Sequence, residues 1–451
     1  MGGADCLSRV LRVAELALAE LARRGRWLSG AWGVSAVSFV VALAAVRAWA
    51  AGPPGSDLDV IRGSDKPTAF ALAIEPRTFS FPEDHGPHPR FRHEWWYVTG
   101  NLDSARGERF GFELTIFRVA LAPPGERGTA VGGGTGAAGG TGAGGAAATS
   151  NAVSAWRTRQ VYVAHFAITD VAHGEFHSAS RYSRDALGLA GAQTQPLRVW
   201  LDDWVFGAAT DIGAAADIAG ASNTPAAVSP AGLSPAIARP WTLHAQDQGY
   251  ELTLELQPLG QPVLNGEEGL SRKASERGAA SYYYSIPRIA VRGKVLRAGV
   301  SSDVQGLAWL DREWGSGSLG ANEQGWDWFA LQLQDGSSFM FYALRNRDGT
   351  RDSHSAGTWV DPAGRVQALS TDQVTIDVSD HWVSPRGGRY PSRWRVRVPT
   401  VGLDVEARPV LANQELGTKP RYWEGAVDVS GTRGGHDTSG RGYVELVGYG
   451  E

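Results

Sequence analysis

Beyond residue 60 the chain has no convincing stretch with the 3.6-residue apolar period of an amphipathic helix; it is filled instead with short runs of alternating character. Phe110-Gly111-Phe112-Glu113-Leu114-Thr115-Ile116-Phe117, Val161 to Thr169, Tyr250 to Leu256, Ser338 to Leu344, Trp394 to Val398 and Tyr443 to Val447 are such runs. Successive side chains of an extended strand point to opposite faces, so each run predicts a strand with one face in a core. Turn residues separate them, as in Gln334-Asp335-Gly336-Ser337, which reads as a hairpin connection. Chains of this kind close into barrels or stack into sandwiches, and the expected fold is all-β and antiparallel.

One arrangement occurs twice. Glu94-Trp95-Trp96-Tyr97-Val98, a turn, and Phe110-Gly111-Phe112-Glu113-Leu114 are echoed by Asp327-Trp328-Phe329-Ala330-Leu331, a turn, and Phe339-Met340-Phe341-Tyr342-Ala343-Leu344. With 451 residues, 43% of them hydrophobic, the chain is long enough for two cores. The echo predicts two related β-barrels, the first over residues 79–270 and the second over 271–451. The polar segment Gly266-Glu267-Glu268-Gly269-Leu270-Ser271-Arg272-Lys273 reads as the linker. Two low-complexity stretches, residues 123–152 and 207–238, are too rich in Gly, Ala, Thr, Pro and Ser to bury a core. They read as long loops inserted in the first barrel. Gly134-Thr135-Gly136-Ala137-Ala138-Gly139 matches a dinucleotide fingerprint by letters alone, because no strand precedes it and no helix follows.

Charge and cysteine content exclude whole classes. The 43 basic and 47 acidic residues give a net charge of -4, so no broad positive field draws in nucleic acid. Cys6 is the one cysteine and lies ahead of everything that reads as folded, which removes disulfides, thiolate-bound metal and thiol nucleophiles from the folded part. Arg23, Arg24 and Arg26 precede an uncharged run from Trp27 to Val46, followed by Ala48-Trp49-Ala50. That is the layout of a secretory signal cleaved near Ala51, although the run also suits an N-terminal membrane anchor. Residues 1–51 therefore predict export, to the periplasm or beyond or held at the inner membrane by residues 27–46, with residues 52–78 as an extended leader.

Acids beside indoles carry the chemistry. A carboxyl against aromatic faces is poorly solvated, which favours its protonated form and makes it an acid near neutral pH. If Leu307 to Glu313 is extended, Trp309, Asp311 and Glu313 share one face with Leu307. Likewise Glu94, Trp96 and Val98 share a face, with His93, Trp95 and Tyr97 on the other; either set suits a barrel interior. The candidate acids are Asp311, Glu313 and Glu94, and the candidate walls for a large apolar ligand are Trp95, Trp96, Tyr283, Trp309, Trp326 and Trp328. The competing reading makes Asp311 part of a structural ion pair with Arg312 or another arginine. Tyr97 stands where His-Glu-x-x-His needs its second histidine, so the segment is no zincin and no metal is expected. The sequence also lacks Gly-x-Ser-x-Gly and a phosphate-binding Gly-x-x-x-x-Gly-Lys loop.

Several Trp-rich blocks occur in a distinctive order: His93-Glu94-Trp95-Trp96-Tyr97, Tyr283-Tyr284-Ser285, Trp309-Leu310-Asp311-Arg312-Glu313-Trp314-Gly315, Gly325-Trp326-Asp327-Trp328-Phe329, Tyr422-Trp423-Glu424-Gly425 and Gly442-Tyr443-Val444-Glu445-Leu446-Val447-Gly448-Tyr449. From about Phe79 to the C-terminus the chain resembles the AttH-like family of secreted, lipocalin-like proteins related to carotenoid 1,2-hydratase and described as predicted secreted hydrolases. The resemblance implies two lipocalin-like barrels. For the hydratase relatives it implies cofactor-independent, acid-catalysed addition of water to an isoprenoid double bond, with an aspartate as proton donor; Asp311 is the matching position. Trp309 and Ser285 depart from the aromatic and histidine-tryptophan pattern of those enzymes. Three functions stay open: hydration or other acid-base chemistry on an apolar alkene, hydrolysis of an envelope lipid, and a non-catalytic lipid carrier tied to an ABC-type export system.

Overall fold

The computed structural model describes residues 70–124, 158–209, 239–317, 320, 322–418 and 421–450. The expected signal or anchor over residues 1–51 lies outside them, as does the extended leader apart from residues 70–78. So do the fingerprint-like glycines and nearly all of the two low-complexity insertions. Among the described residues there is no α-helix, only short 3-10 turns. Two curled antiparallel sheets make up the fold, one a nearly closed barrel and the other a half-barrel.

In the first sheet, His93–Ser104 lies between Arg109–Ala120 and Val300–Gly315, and the latter pairs in turn with Ala280–Arg297. In the second, Glu323–Leu333 lies between Ser338–Asn346 and His436–Val447, with Tyr422–Arg433 beyond. The change of sheet thus falls later than the boundary expected at residues 270 and 271. Ala280–Arg297 and Val300–Gly315 belong to the first sheet, and the second starts at Glu323. The physical reason is pairing. Val300–Gly315 lies alongside His93–Ser104 in unbroken register from His93 opposite Gly315 to Ser104 opposite Val304. The segment read as a linker supplies the short strand Leu270–Arg272, paired with Ala280–Arg297.

Alternation sorts the strands that meet between the sheets into an interior face and a seam face. Trp96, Val98, Phe112, Leu114, Tyr284, Leu310 and Trp314 fill the first barrel, and Phe329, Leu331, Phe341, Trp394, Val444 and Leu446 fill the second sheet's concave side. The alternate residues Tyr97, Tyr283, Trp309, Trp328, Tyr342 and Tyr443 form a third cluster, where the convex faces of the two sheets meet. These strands are therefore buried on both faces. At Gly111 the sheets come so close that a Cβ would sit 2.6 Å from the Ala426 Cβ of the other sheet. Asn101 bridges the seam as well, its Nδ2 donating to the Gly442 carbonyl at 3.0 Å.

The sequence echo holds face by face. Glu94 and Asp327 both point into their own sheet's interior toward arginines, Trp95 and Trp328 both pack in the seam cluster, and Trp96 and Phe329 both lie in the interior cores.

Candidate active site between the sheets

A cavity of about 400 Å³ opens along the seam, with walls from both sheets. Trp95, Tyr97, Phe117, His165, Tyr283, Asp311 and Glu313 come from the first sheet; Trp326, Trp328, Tyr342, Leu344, Tyr422 and Glu445 come from the second. Barrel interiors were the expected place for a pocket, but here they are filled by packed side chains. The open volume arises where two convex surfaces meet imperfectly.

Asp311 is 4% exposed and sits on the cavity wall. Its Oδ1 accepts hydrogen bonds from Ser285 Oγ and Trp309 Nε1, both at 2.6 Å, and its Oδ2 accepts from the Tyr283 hydroxyl at 2.5 Å. Two of the donors are themselves positioned. Trp328 Nε1, from the second sheet, donates to the Tyr283 oxygen at 3.1 Å. Asn265 Nδ2 donates to Ser285 Oγ at 2.8 Å, and Thr358 Oγ1, again from the second sheet, donates to Asn265 Oδ1 at 2.8 Å. Burial pushes the Asp311 carboxyl up to about 7 from its ordinary 3.8; the three donors oppose the rise and the nearby Glu313 charge adds to it. Neutral donors fix the group's direction without supplying a counter-charge, so near neutral pH it can hold a proton or release one.

The other sequence candidates fall into different environments. Glu313 lines the same cavity but accepts a hydrogen bond from Ser281 Oγ and lies 3.3 Å from Lys273 Nζ. Burial alone lowers the Lys273 pKa, and the Glu313 carboxylate outweighs that effect and keeps the ammonium charged. The ammonium lies 4.0 Å from the centroid of the Tyr342 ring. Glu313 is thus a paired carboxylate on the wall rather than a free acid.

Glu94 does not suit the role of acid. It faces the barrel interior, its Oε1 bonded to Arg118 Nε and its Oε2 to Arg312 Nη2 at 2.6 Å, with the His88 backbone N–H donating at 3.0 Å. Burial acts to raise its pKa, but the two guanidiniums hold it well below the usual carboxylate range. It is a structural anion. Trp96 goes with it: its indole is in the barrel core, with the Arg312 guanidinium 3.8 Å from its ring centroid and Nε1 donating to the His85 carbonyl at 2.9 Å. It forms no wall of the cavity. Trp309 stands behind Asp311, edge-on to Trp328 with ring centroids 6.2 Å apart, and acts as a donor rather than a wall. Trp95, Tyr283, Trp326 and Trp328 do line the cavity.

Sequence reasoning missed Glu445. It lies on the cavity wall with Oε2 accepting from Trp326 Nε1 at 2.9 Å, and burial pushes its carboxyl up to about 7, with the charges of Asp311 and Glu313 adding to the rise. The signal was present, since Tyr443 and Glu445 alternate as Trp309 and Asp311 do. Also missed were Lys273, Tyr342 and the hydrogen-bonded pair His165 and Tyr422. Burial pushes His165 down to about 3, so it is a neutral wall residue. Deeper in the seam, Glu424 accepts from the Tyr97 hydroxyl at 2.8 Å, and burial raises both Glu424 and Glu113 well above the carboxylate range. Among the described residues, no group of three His, Cys, Asp or Glu side chains is arranged to hold a metal ion.

Comparison with known proteins bears on this site. A family model described as AttH-like matches residues 72–449, which takes in both sheets. The crystal structure of a putative AttH from Nitrosomonas europaea is 31% identical, with a TM-score of 0.66 over 84% of this chain and 100% of that one. Kievitone hydratase from Nectria haematococca shares the fold at 13% identity, with a TM-score of 0.55 over 86% of this chain and 97% of that one. The dehydratase asqC of Emericella nidulans is 23% identical over 219 residues, which are 46% of this chain and 61% of that protein's length.

Proposed function

This chain belongs to the AttH-like family, and we propose that its inter-sheet cavity adds water to, or removes it from, a carbon–carbon double bond of an apolar molecule, with Asp311 as the proton donor. One observation carries the reading: a buried carboxyl, fixed by three neutral donors and lacking an adjacent cation of its own, on the wall of an aromatic cavity. In the hydration direction Asp311 gives its proton to one alkene carbon, a C–H bond forms, and the positive charge left on the other carbon faces the indoles of Trp326 and Trp328. Water then closes the C–O bond and loses a proton. In the reverse direction the hydroxyl gains a proton and leaves as water, and Asp311 takes back the proton from the neighbouring carbon. Relatives named as a hydratase and a dehydratase support this reaction class.

About 400 Å³ suits a drug-sized ligand or a segment of a longer one, and the mix of indole, phenol and aliphatic walls suits an isoprenoid or lipid. The secretory signal or membrane anchor read at residues 1–51 supports action outside the cytoplasm. The test is mass spectrometry of an apolar cell extract incubated with the mature protein, beside the Asp311→Asn variant. A species gaining one water, or losing one, only with the native protein is the expected result. Paired fragments would instead mean hydrolysis, and one lipid held unchanged by both proteins would mean a carrier; either overturns the proposal.

A further inference from the structure

Accepting the reading of Asp311 above, we infer that Glu445 is the second catalytic carboxyl, the base that takes the proton from the attacking water on the wall opposite the acid. The cavity's carboxyls differ in the lone pairs they leave free. Both oxygens of Asp311 are engaged by Ser285, Trp309 and Tyr283. Glu313 is committed to Lys273 and Ser281, and Glu94, which also borders the cavity, to Arg118 and Arg312. Glu445 forms one side-chain hydrogen bond, from Trp326 Nε1 to Oε2. It lies deep in the molecule yet keeps accessible surface, because its carboxyl faces the cavity. It therefore has acceptor capacity left for water, which a base must contact directly.

Its place in the fold adds the second element. Asp311 is on Val300–Gly315 of the first sheet, and Glu445 on His436–Val447 of the second. A flat alkene held between the sheets would receive its proton from one face and its hydroxyl from the other, an anti addition. The atoms balance without a co-reactant. Asp311 loses a proton to carbon, Glu445 gains one from water, and exchange with solvent restores both. The working state has Asp311 protonated and Glu445 ionised, and each disfavours the other's charge. Other groups interact with Glu445 too: Glu313 from the first sheet, and Tyr97, Glu113, Glu424 and Tyr422 in the seam.

The test pairs kinetics with binding. The rate of the one-water mass change in the apolar extract is followed from pH 5 to 9 for the native protein, Glu445→Gln, Glu445→Asp and Asp311→Asn. Binding of dodecyldimethylamine, a cationic mimic of the charged intermediate, and of neutral dodecanol is read from quenching of the cavity tryptophans. We expect Glu445→Gln to lose about 100-fold in rate and the acidic limb of the profile. It should also bind the amine about tenfold more weakly with dodecanol unchanged, and Glu445→Asp should restore part of the rate. A Glu445→Gln enzyme that keeps its rate, or loses it with both limbs and amine affinity intact, overturns the assignment while Asp311 stands. Full activity in Asp311→Asn, or no mass change with the native protein, overturns the underlying reading instead.

Discussion

Replacing Asp311 by asparagine should make this protein more stable at alkaline pH while abolishing its chemistry. The unfolded chain releases the Asp311 proton near its ordinary value of 3.8, whereas the folded protein keeps it to about 7. Between those limits the folded state binds more protons, so stability falls as pH rises, by about 1.4 kcal/mol per pH unit. Over an interval of roughly three units the total approaches 4 kcal/mol. That penalty is absent below pH 4 and complete above pH 7. Asparagine is never charged and escapes it. Its Oδ1 can still accept from Ser285 and Trp309, and its Nδ2 can donate to the Tyr283 oxygen, at the expense of the Trp328 contact. Any loss from that rearrangement does not depend on pH, so the comparison of slopes cancels it. The assay is urea unfolding of both proteins from pH 4 to 8. The expected outcome is a stability difference that moves in favour of the variant by about 4 kcal/mol across the range, with the growing difference completed near pH 7. Parallel curves would refute the reasoning, because they would mean that folding leaves the Asp311 proton where it is in the unfolded chain.

Glu94→Gln should act in the opposite sense: it strands the Arg118 and Arg312 guanidiniums inside the barrel and should cost about 3–5 kcal/mol at pH 7. The folded pKa of Glu94 is depressed, so its contribution is present above its ordinary value and fades as pH falls below it; urea midpoints at pH 7 and pH 3 check both size and sign. Trp328→Phe keeps a ring on the cavity wall but removes the donor to Tyr283. Loss of one neutral hydrogen bond, about 1 kcal/mol, should lower the rate severalfold with apolar-ligand affinity nearly unchanged, and an equal fall in affinity would make the indole a binding surface only. Gly111→Leu would drive a side chain into Ala426 across the seam; a cost of about 1–3 kcal/mol, with altered cavity-tryptophan fluorescence, is expected, and native stability would show that the sheets are not held that close.

Much of the β architecture was legible because strand alternation is a local property. The partners of Leu310 and Asp311, one in the barrel and one in the seam, follow from their being neighbours on one strand. Trp309, Asp311 and Glu313 were correctly read as sharing a face. Which face becomes a core is another matter. Both faces of His93–Ser104 are buried, so nothing in its own residues separates Trp95 on the cavity from Trp96 inside the barrel. The later change of sheet was hidden for a similar reason, since pairing of residues 300–315 with 93–104 joins segments some two hundred positions apart.

Glu94 and Asp311 show the division most clearly. In sequence each is an acid close to tryptophan on an alternating strand, and by itself that determined only that each would be buried and poorly solvated. The tertiary structure decided their charge. Folding brings the guanidiniums of Arg118 and Arg312 to Glu94 and holds it ionised, whereas it gives Asp311 only hydroxyls and an indole, which orient the carboxyl without balancing its charge. A carboxyl's proton affinity is fixed by the charges and dipoles within a few ångströms of it, and those arrive from strands far away along the chain.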